Sequence, residues 1–409
     1  MKKTIDLLKK YNQEHIIRIL DKLDVEKKEN LLKQIETIDF EEMARLYNST
    51  KEGNKLNCTI EPIGFIDKSK LSEEKRNELS DKGVELIKNG GYAVVTMAGG
   101  QGTRLGFNGP KGTFKLDVTS EGKYIFEILL DTIKEQNKKY ASEIYWYIMT
   151  SKENNDDTIK FFEEHNYFGY NKEKVKFFKQ FDLPLMSLDG KLLLNEKFEI
   201  KEASDGNGGV FKAMKKEGVL DDMKKNGIKW VYISGVDNIM VKPVDSIFVG
   251  LAMEKNVQCA TKSIVKSYPE EKVGAFCKKN GKPGVVEYME MNDEMIYGKN
   301  EDGELLYGES HIVSNMFSID ALEIIANEKL EYHCAKKKNS HIDEAGNLIV
   351  AKEPNSYKFE SFIFDAFQFF DDLLIMRVDR NREFAPIKNA SGIDSPESAK
   401  EIYFNCHNK

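Results

Sequence analysis

The sequence predicts an α/β protein: a Rossmann-like mixed, mostly parallel sheet with helices on both faces, a small helical segment before it and a short segment after it. Three observations predict this. From Gly91 onward, short runs rich in β-branched and aromatic residues alternate with stretches of helical period, the rhythm of βαβ units. A glycine-rich loop directly follows the first of those runs, where open α/β sheets bind ligands. The 409 residues are 40% hydrophobic and 11% aromatic, an ordinary globular balance with enough chain for two or three domains and a large core.

Taken in order, residues 1 to about 50 carry apolar side chains at helical spacing (Ile5, Leu8, Ile16, Ile17, Leu20, Leu23, Leu31, Leu32, Ile35), which predicts a helical cap. The run "YAVVTM" opens the sheet. A helix over 123–139, the strand "IYWYIMT", a helix over 153–165, the strand "IKWVYISG" and a helix over 245–255 follow. The last segment holds "FESFIFDAFQFF", a strand-like "LLIMRV" and the polar stretch "REFAPIKNASGIDSP". The expected divisions are therefore 1–88, a helical segment; 89–350, the central catalytic domain; and 351–409, the short C-terminal segment.

Several function classes fall away. The net charge of −7, with lysines interleaved among glutamates, argues against a nucleic-acid surface. No apolar stretch approaches the roughly 20 residues that cross a bilayer, and the N-terminus breaks its apolar positions with charges, unlike a signal peptide. A cytoplasmic protein with no membrane partner is expected. Cys58, Cys259, Cys277, Cys334 and Cys406 form no CxxC pair, so neither a disulfide framework nor a zinc ribbon is indicated. The six histidines show no HxH or HxxxH arrangement, and no zinc site is expected.

The loop "AGGQGTRLGFNGPKG" carries the chemistry. Glycines at 99, 100, 102, 106 and 109 allow backbone N–H groups to approach an anion, Arg104 offers a bidentate fork, and Lys111 a point charge. The spacing of Gly100, Gly102 and Gly106 is one residue too long for the dinucleotide fingerprint, and no glycine precedes a Lys-Ser or Lys-Thr pair as in the P-loop. Asp237 stands directly after "WVYISG", so its carboxylate is expected at the sheet's C-terminal edge, where a hard oxygen ligand suits Mg²⁺.

This loop resembles the A-G-G-x-G-T-R-L-G-x-x-x-P-K signature of UDP-sugar pyrophosphorylases, in particular the UDP-N-acetylhexosamine branch. The resemblance continues in order through "FFKQFDLP", "DGNGGVF", "VDNIMVKPVD", "VVEY", "SNMFS", "FIFDAFQF" and "FAPIKNA", covering about 90–395. It implies a nucleotidyltransferase fold of glycosyltransferase-A type and a Mg²⁺-assisted reaction of UTP with a sugar 1-phosphate, N-acetylglucosamine 1-phosphate first, giving UDP-sugar and pyrophosphate. The sugar phosphate attacks the α-phosphorus of UTP in line, and positioning and charge neutralisation supply the catalysis. By the same resemblance Met97, Ala98, Gly99 and Gly100 receive the uracil and ribose, Gln180 hydrogen-bonds the uracil, and Gly206 lies against the uridine. Arg104 and Lys111 hold the triphosphate and the leaving pyrophosphate, Asp237 holds the metal, and Lys358 and Lys388 lie near the phosphates of UTP and the sugar. Asn207, Glu287, Tyr288 and Asn315 meet the sugar.

Two departures matter. Eukaryotic members continue into a C-terminal β-rich domain where this sequence ends soon after Lys388, so their oligomer arrangements do not carry over; a monomer or weak homo-oligomer is expected. In "GESHIVSNMFS", His311 and Ile312 replace a small residue and an asparagine, which leaves a UDP-glucose or broad UDP-sugar pyrophosphorylase as the alternative. A non-catalytic nucleotide-sugar sensor is a more distant one.

Overall fold

The computed structural model describes residues 2–51 and 58–407. Residues 1 and 52–57 of the expected helical segment and 408–409 of the C-terminal segment lie outside the described residues. The described residues form two compact units, each drawn from separated stretches: one from residues 2–51, 181–209 and 330–362, the other from 58–180, 210–329 and 363–407. Contiguous segments were expected, with boundaries at 88 and 350.

The larger unit is built on an eleven-stranded sheet. Its strands are β1 Ile60–Glu61, β2 Ile66–Asp67, β3 Tyr92–Met97, β4 Tyr145–Thr150, β5 Val175–Lys179, β6 Trp230–Gly235, β7 Cys259–Val265, β8 Ala275–Lys279, β9 Lys282–Val286, β10 Glu309–Ser318 and β11 Leu374–Arg377. Eight lie side by side in the order β2-β11-β7-β10-β6-β3-β4-β5. The β6-β3, β3-β4, β4-β5, β7-β11 and β2-β11 pairs are parallel, and β10 runs against both of its neighbours. The sheet is thus mixed and mostly parallel along this path, as expected. The reversed β10, and the hairpin β8-β9 that pairs with it through β8, were not anticipated.

The expected helices are present at Ile125–Tyr140, Asn155–Glu164 and Ser246–Glu254. A further helix, Glu73–Lys88, crosses Ser246–Glu254 at backbone contact. A Cβ on Gly83 would lie 2.0 Å from the Ser246 carbonyl oxygen, and one on Gly250 would lie 1.8 Å from that of Leu79. Small residues on both helices are what lets the backbones approach this closely. Strand β3 is buried along its whole length, and Tyr92, Val94, Trp146, Ile148 and Tyr232 share one core with the helices. That burial on both faces explains its unbroken apolar sequence.

The smaller unit begins with helices Lys2–Lys10, Glu14–Leu20, Val25–Thr37 and Phe40–Ser49, in the region where helical periodicity predicts them. Asp24 and Asp39 cap the last two by accepting from the N–H of Lys27 and Glu42. Leu8, Ile16, Leu31 and Ile35 bury against Met186, Leu194, Ile200 and Phe359. Two glutamines tie helix to chain: Gln13 donates to the Gly190 carbonyl and accepts from the Leu192 N–H, and Gln34 does the same with both groups of Ile200. No helix among the described residues is long and apolar enough to cross a membrane.

Candidate active site

The parallel strands converge their C-terminal ends on one edge, and the candidate residues of the larger unit leave from it. Met97 of β3 pairs with Gly235 of β6, and the Val236 N–H donates to the Met97 carbonyl at 3.0 Å. The glycine-rich loop and Asp237 therefore start side by side. At the end of β5, the Gln180 N–H donates to the Thr150 carbonyl, which turns Gln180 back across the edge. Its side chain, 7% exposed, rests on Gly99: a Cβ there would lie 2.6 Å from Gln180 Oε1. A side-chain amide lying on bare backbone presents donor and acceptor together, the pattern an imide edge complements.

The loop is built differently from the anion nest expected of five glycines. The N–H groups of Gly102, Leu105, Gly106, Phe107 and Lys111 all donate to carbonyls of the loop itself, those of Gly109, Gly102, Thr103, Gly102 and Gly100 respectively. Gly102 is glycine because a Cβ would meet the Phe107 ring at 2.6 Å, and Gly106 turns the chain with φ +70°. These glycines shape the loop. Gly100, exposed and with nothing within 4 Å of its Cβ position, is open to an incoming group. Asn154, fully buried, holds the start of the loop by donating to the carbonyls of Ala98 and Gly100.

Three charged side chains act on Lys111 here. Burial holds the Lys111 ammonium below the ordinary lysine range; Asp237 opposes that shift, while Lys388 and Arg104 reinforce it. Asp237 folds over Gly235, where a Cβ would lie 2.5 Å from its Oδ1. A cation cluster with one carboxylate suits a polyphosphate: bound phosphate would relieve the mutual repulsion of Lys111, Lys388 and Arg104.

Lys388 arrives by a device the sequence reading missed. Asn238, 5% exposed, donates from Nδ2 to the Glu383 carbonyl at 2.8 Å, and its Oδ1 accepts from the N–H of Ala385 at 2.9 Å and Met240 at 3.1 Å. The Ile387 N–H donates to the Asp237 carbonyl at 2.9 Å. Residues 383–387 are thereby zipped to the Asp237 turn. Behind them Lys262, 0% exposed, pairs with Glu383 at 2.6 Å and Asp245 at 3.0 Å, and Lys68 pairs with Asp245 at 2.6 Å. Burial opposes the charge on Lys262, but the two carboxylates outweigh it and hold the ammonium above the usual lysine range. Asn directly after Asp237 was the one sequence signal available, and it also fits a simple turn cap.

Glu287 follows β9 and lies at Gly274, whose Cβ position is 3.5 Å from Glu287 Oε1; Gly274 in turn accepts the His311 N–H. Asn315 is buried in β10, and Tyr288 is exposed. Gly206, Asn207 and Lys358 belong to the smaller unit. There "DGNGG" is more than a turn: Gly206 has φ +90°, and a Cβ on it would lie 2.2 Å from the Ser361 carbonyl oxygen. Lys358 pairs with Glu360 at 2.8 Å.

For a divalent cation, no group of three or more His, Cys, Asp or Glu gathers among the described residues. Asp237 alone fits Mg²⁺, which takes one or two carboxylates with substrate phosphates and water.

Comparison with known proteins shows the family to which the chain is similar. The family model described as UTP–glucose-1-phosphate uridylyltransferase matches residues 38–398. A UDP-N-acetylglucosamine diphosphorylase of Arabidopsis thaliana is 36% identical over 99% of this chain and 84% of its own length. The UDP-N-acetylglucosamine pyrophosphorylase of Saccharomyces cerevisiae is 38% identical over 88% of this chain and 77% of its own. The crystal structure of the Trypanosoma brucei UDP-N-acetylglucosamine pyrophosphorylase superposes with a TM-score of 0.84 at 30% identity, covering 97% of this chain and 83% of that one.

Proposed function

This chain belongs to the UTP–glucose-1-phosphate uridylyltransferase family, and from that premise we infer that it transfers the uridylyl group of UTP to N-acetyl-α-D-glucosamine 1-phosphate, forming UDP-N-acetylglucosamine and diphosphate. The relatives of 36% and 38% identity carry that activity in their names. The observation that supports a working catalyst, rather than a binder, is the half-buried Lys111, on whose charge Asp237, Lys388 and Arg104 all act.

In the mechanism we propose, Gln180 and the bare backbone of Gly99 and Gly100 receive the uracil, with Met97 and Ala98 forming the floor. A phosphate oxygen of the sugar 1-phosphate attacks the α-phosphorus in line, the bond to the β-phosphate bridging oxygen breaks, and diphosphate leaves with the electron pair. Arg104 and Lys111 neutralise that departing charge, and Lys388 faces the incoming phosphate. No protein nucleophile is needed. When bound at Asp237, Mg²⁺ would supply further charge neutralisation on phosphate oxygens. Glu287, Tyr288 and Asn315 hold the sugar. The free thiols Cys58, Cys259, Cys277, Cys334 and Cys406 fit a reducing, cytoplasmic setting, and we propose a monomer or weak homo-oligomer.

The test is diphosphate release from UTP and Mg²⁺ with N-acetylglucosamine, N-acetylgalactosamine, glucose and galactose 1-phosphates. Release fastest with N-acetylglucosamine 1-phosphate, and falling about 10²-fold or more in Arg104→Ala and Asp237→Ala, is the expected result. Release fastest with glucose 1-phosphate would refute the substrate, and release from none would refute the activity.

A further inference from the structure

Strand β10 is deformed where it passes Asn315. Opposite it, Thr261 pairs with Asn315 and Ser263 with His311, so two residue steps on β7 face four on β10. Val313, at the centre of this bulge, has φ +53°, a conformation a β-branched side chain adopts only under constraint. In a regular strand residues four apart are separated by about 13 Å. Here the bulge folds His311 back onto Asn315, and Nε2 lies 3.1 Å from Asn315 Oδ1.

The consequence falls on the asparagine. Its Oδ1 accepts from His311 Nε2–H and from the Thr261 hydroxyl at 2.9 Å, while its Nδ2, in a side chain 0% exposed, has no partner among the described residues. A buried amide donor left unpaired costs free energy comparable to a lost hydrogen bond, so this group is held for an acceptor that arrives later. His311 is itself half-buried, its ring edge-on to Phe276, Phe364 and Phe367 at 5.4, 5.5 and 6.1 Å between centroids. The His311 backbone N–H donates to the Gly274 carbonyl, beside the Glu287 carboxylate.

We propose that His311 is a positioning residue for sugar specificity: its Nε2–H locks the Asn315 carboxamide so that Nδ2 donates to an oxygen acceptor of the bound sugar. The inference rests on the functional reading above, in which the Glu287 side of the site receives the sugar. Burial lowers the His311 ring to about 4, so it remains neutral, with a single ring N–H committed to Asn315, across the physiological range.

The experiment is steady-state kinetics of His311→Leu, His311→Gln, Asn315→Ala and the double variant His311→Leu/Asn315→Ala, with the KM of UTP and of the sugar 1-phosphate measured separately. His311→Leu should raise the KM of N-acetylglucosamine 1-phosphate by about tenfold, the worth of one oriented hydrogen bond, and leave the KM of UTP within about twofold. His311→Gln, which keeps a donor, should recover most of the loss, and Asn315→Ala should add little on top of His311→Leu. A penalty with N-acetylglucosamine 1-phosphate alone would identify the acceptor as the acetamido oxygen, and an equal one with glucose 1-phosphate would identify a ring hydroxyl; both support the assignment. Equal losses for UTP and sugar, additive losses in the double variant, or no rescue by glutamine would overturn it. A parent enzyme inert toward every sugar 1-phosphate would instead refute the underlying reading of the reaction.

Discussion

Replacing Asn238 by alanine tests how the site is assembled, because this side chain never needs to touch substrate to matter. The change removes the partners of three backbone groups at once: the Glu383 carbonyl and the N–H groups of Ala385 and Met240. Asn238 is 5% exposed, so water replaces those partners poorly. At about 1 kcal/mol or more for each buried polar group left unpaired, the expected loss is about 3 kcal/mol. Loosening residues 383–387 also lets Lys388 drift from the Asp237 turn, to which the Ile387 N–H ties its neighbour, so kcat/KM should fall by about 10²-fold, as for loss of an electrostatic contact to a transferring phosphate. The assay pairs urea denaturation with kinetics of Asn238→Ala, Lys388→Ala and the double variant. Asn238→Asp keeps the acceptor but loses the donor and sets a buried carboxylate oxygen against the Glu383 carbonyl, so it should not restore stability. If Asn238→Ala costs less than about 1 kcal/mol, or its kinetic effect persists undiminished when Lys388 is already absent, the clamp reasoning is wrong.

Gly99→Ala would drive a methyl group into Gln180, 2.6 Å from Oε1; the KM for UTP should rise about tenfold or more, and the loss should overlap with that of Gln180→Ala, as double-mutant kinetics would reveal. Lys262→Met leaves the buried carboxylates of Asp245 and Glu383 short of a cation and should cost about 3–5 kcal/mol at pH 7 by chemical denaturation. Burial works against ionised Asp245, but Lys262 and Lys68 hold its carboxyl well below the usual range. Its contribution is therefore present above about pH 4 and disappears as pH falls below that; the acid unfolding midpoint of Lys262→Met should accordingly move to higher pH, and an unmoved midpoint would contradict the pairing. Gly83→Ala places a Cβ 2.0 Å from the Ser246 carbonyl oxygen, and separating the two helices should lower stability by about 1–3 kcal/mol, whereas an unchanged Tm would show that the crossing yields freely.

Elements whose period is set by burial were legible before any coordinates. Strand β3 is buried on both sides and reads as "YAVVTM", and the helices at 125–140 and 246–254 lie within a few residues of their expected bounds. What escaped was organised over long sequence distances. In "ESHIVSNMFS" nothing local encodes that β10 runs against its neighbours, and the bulge at Val313 breaks the alternation by which a strand is read. The strands of the smaller unit at 182–184, 186–187 and 202–204 are too short to show any period. Glycines told of a loop but not of its wiring: whether an N–H meets a ligand or a neighbouring carbonyl is decided by the closed chain, as Gly102 and Gly106 show. Lys262 looks like any surface lysine in sequence and is fully buried, because its two carboxylate partners lie 17 positions before and 121 positions after it (262 − 245 and 383 − 262).

Strand β10 also decides how the sheet comes together. It joins two blocks that share no other neighbouring pair along the path, β6-β3-β4-β5 on one side and β7-β11-β2 on the other. Each block uses parallel pairing and its own crossovers, so each has reason to form as a cooperative piece, while β10 gains its full set of hydrogen bonds only when both are present. It is therefore the seam of the sheet, the strand through which the two blocks are joined. Because His311 and Asn315 are stitched into that seam, the bulge that brings them together has its surroundings only in a chain whose two blocks have met.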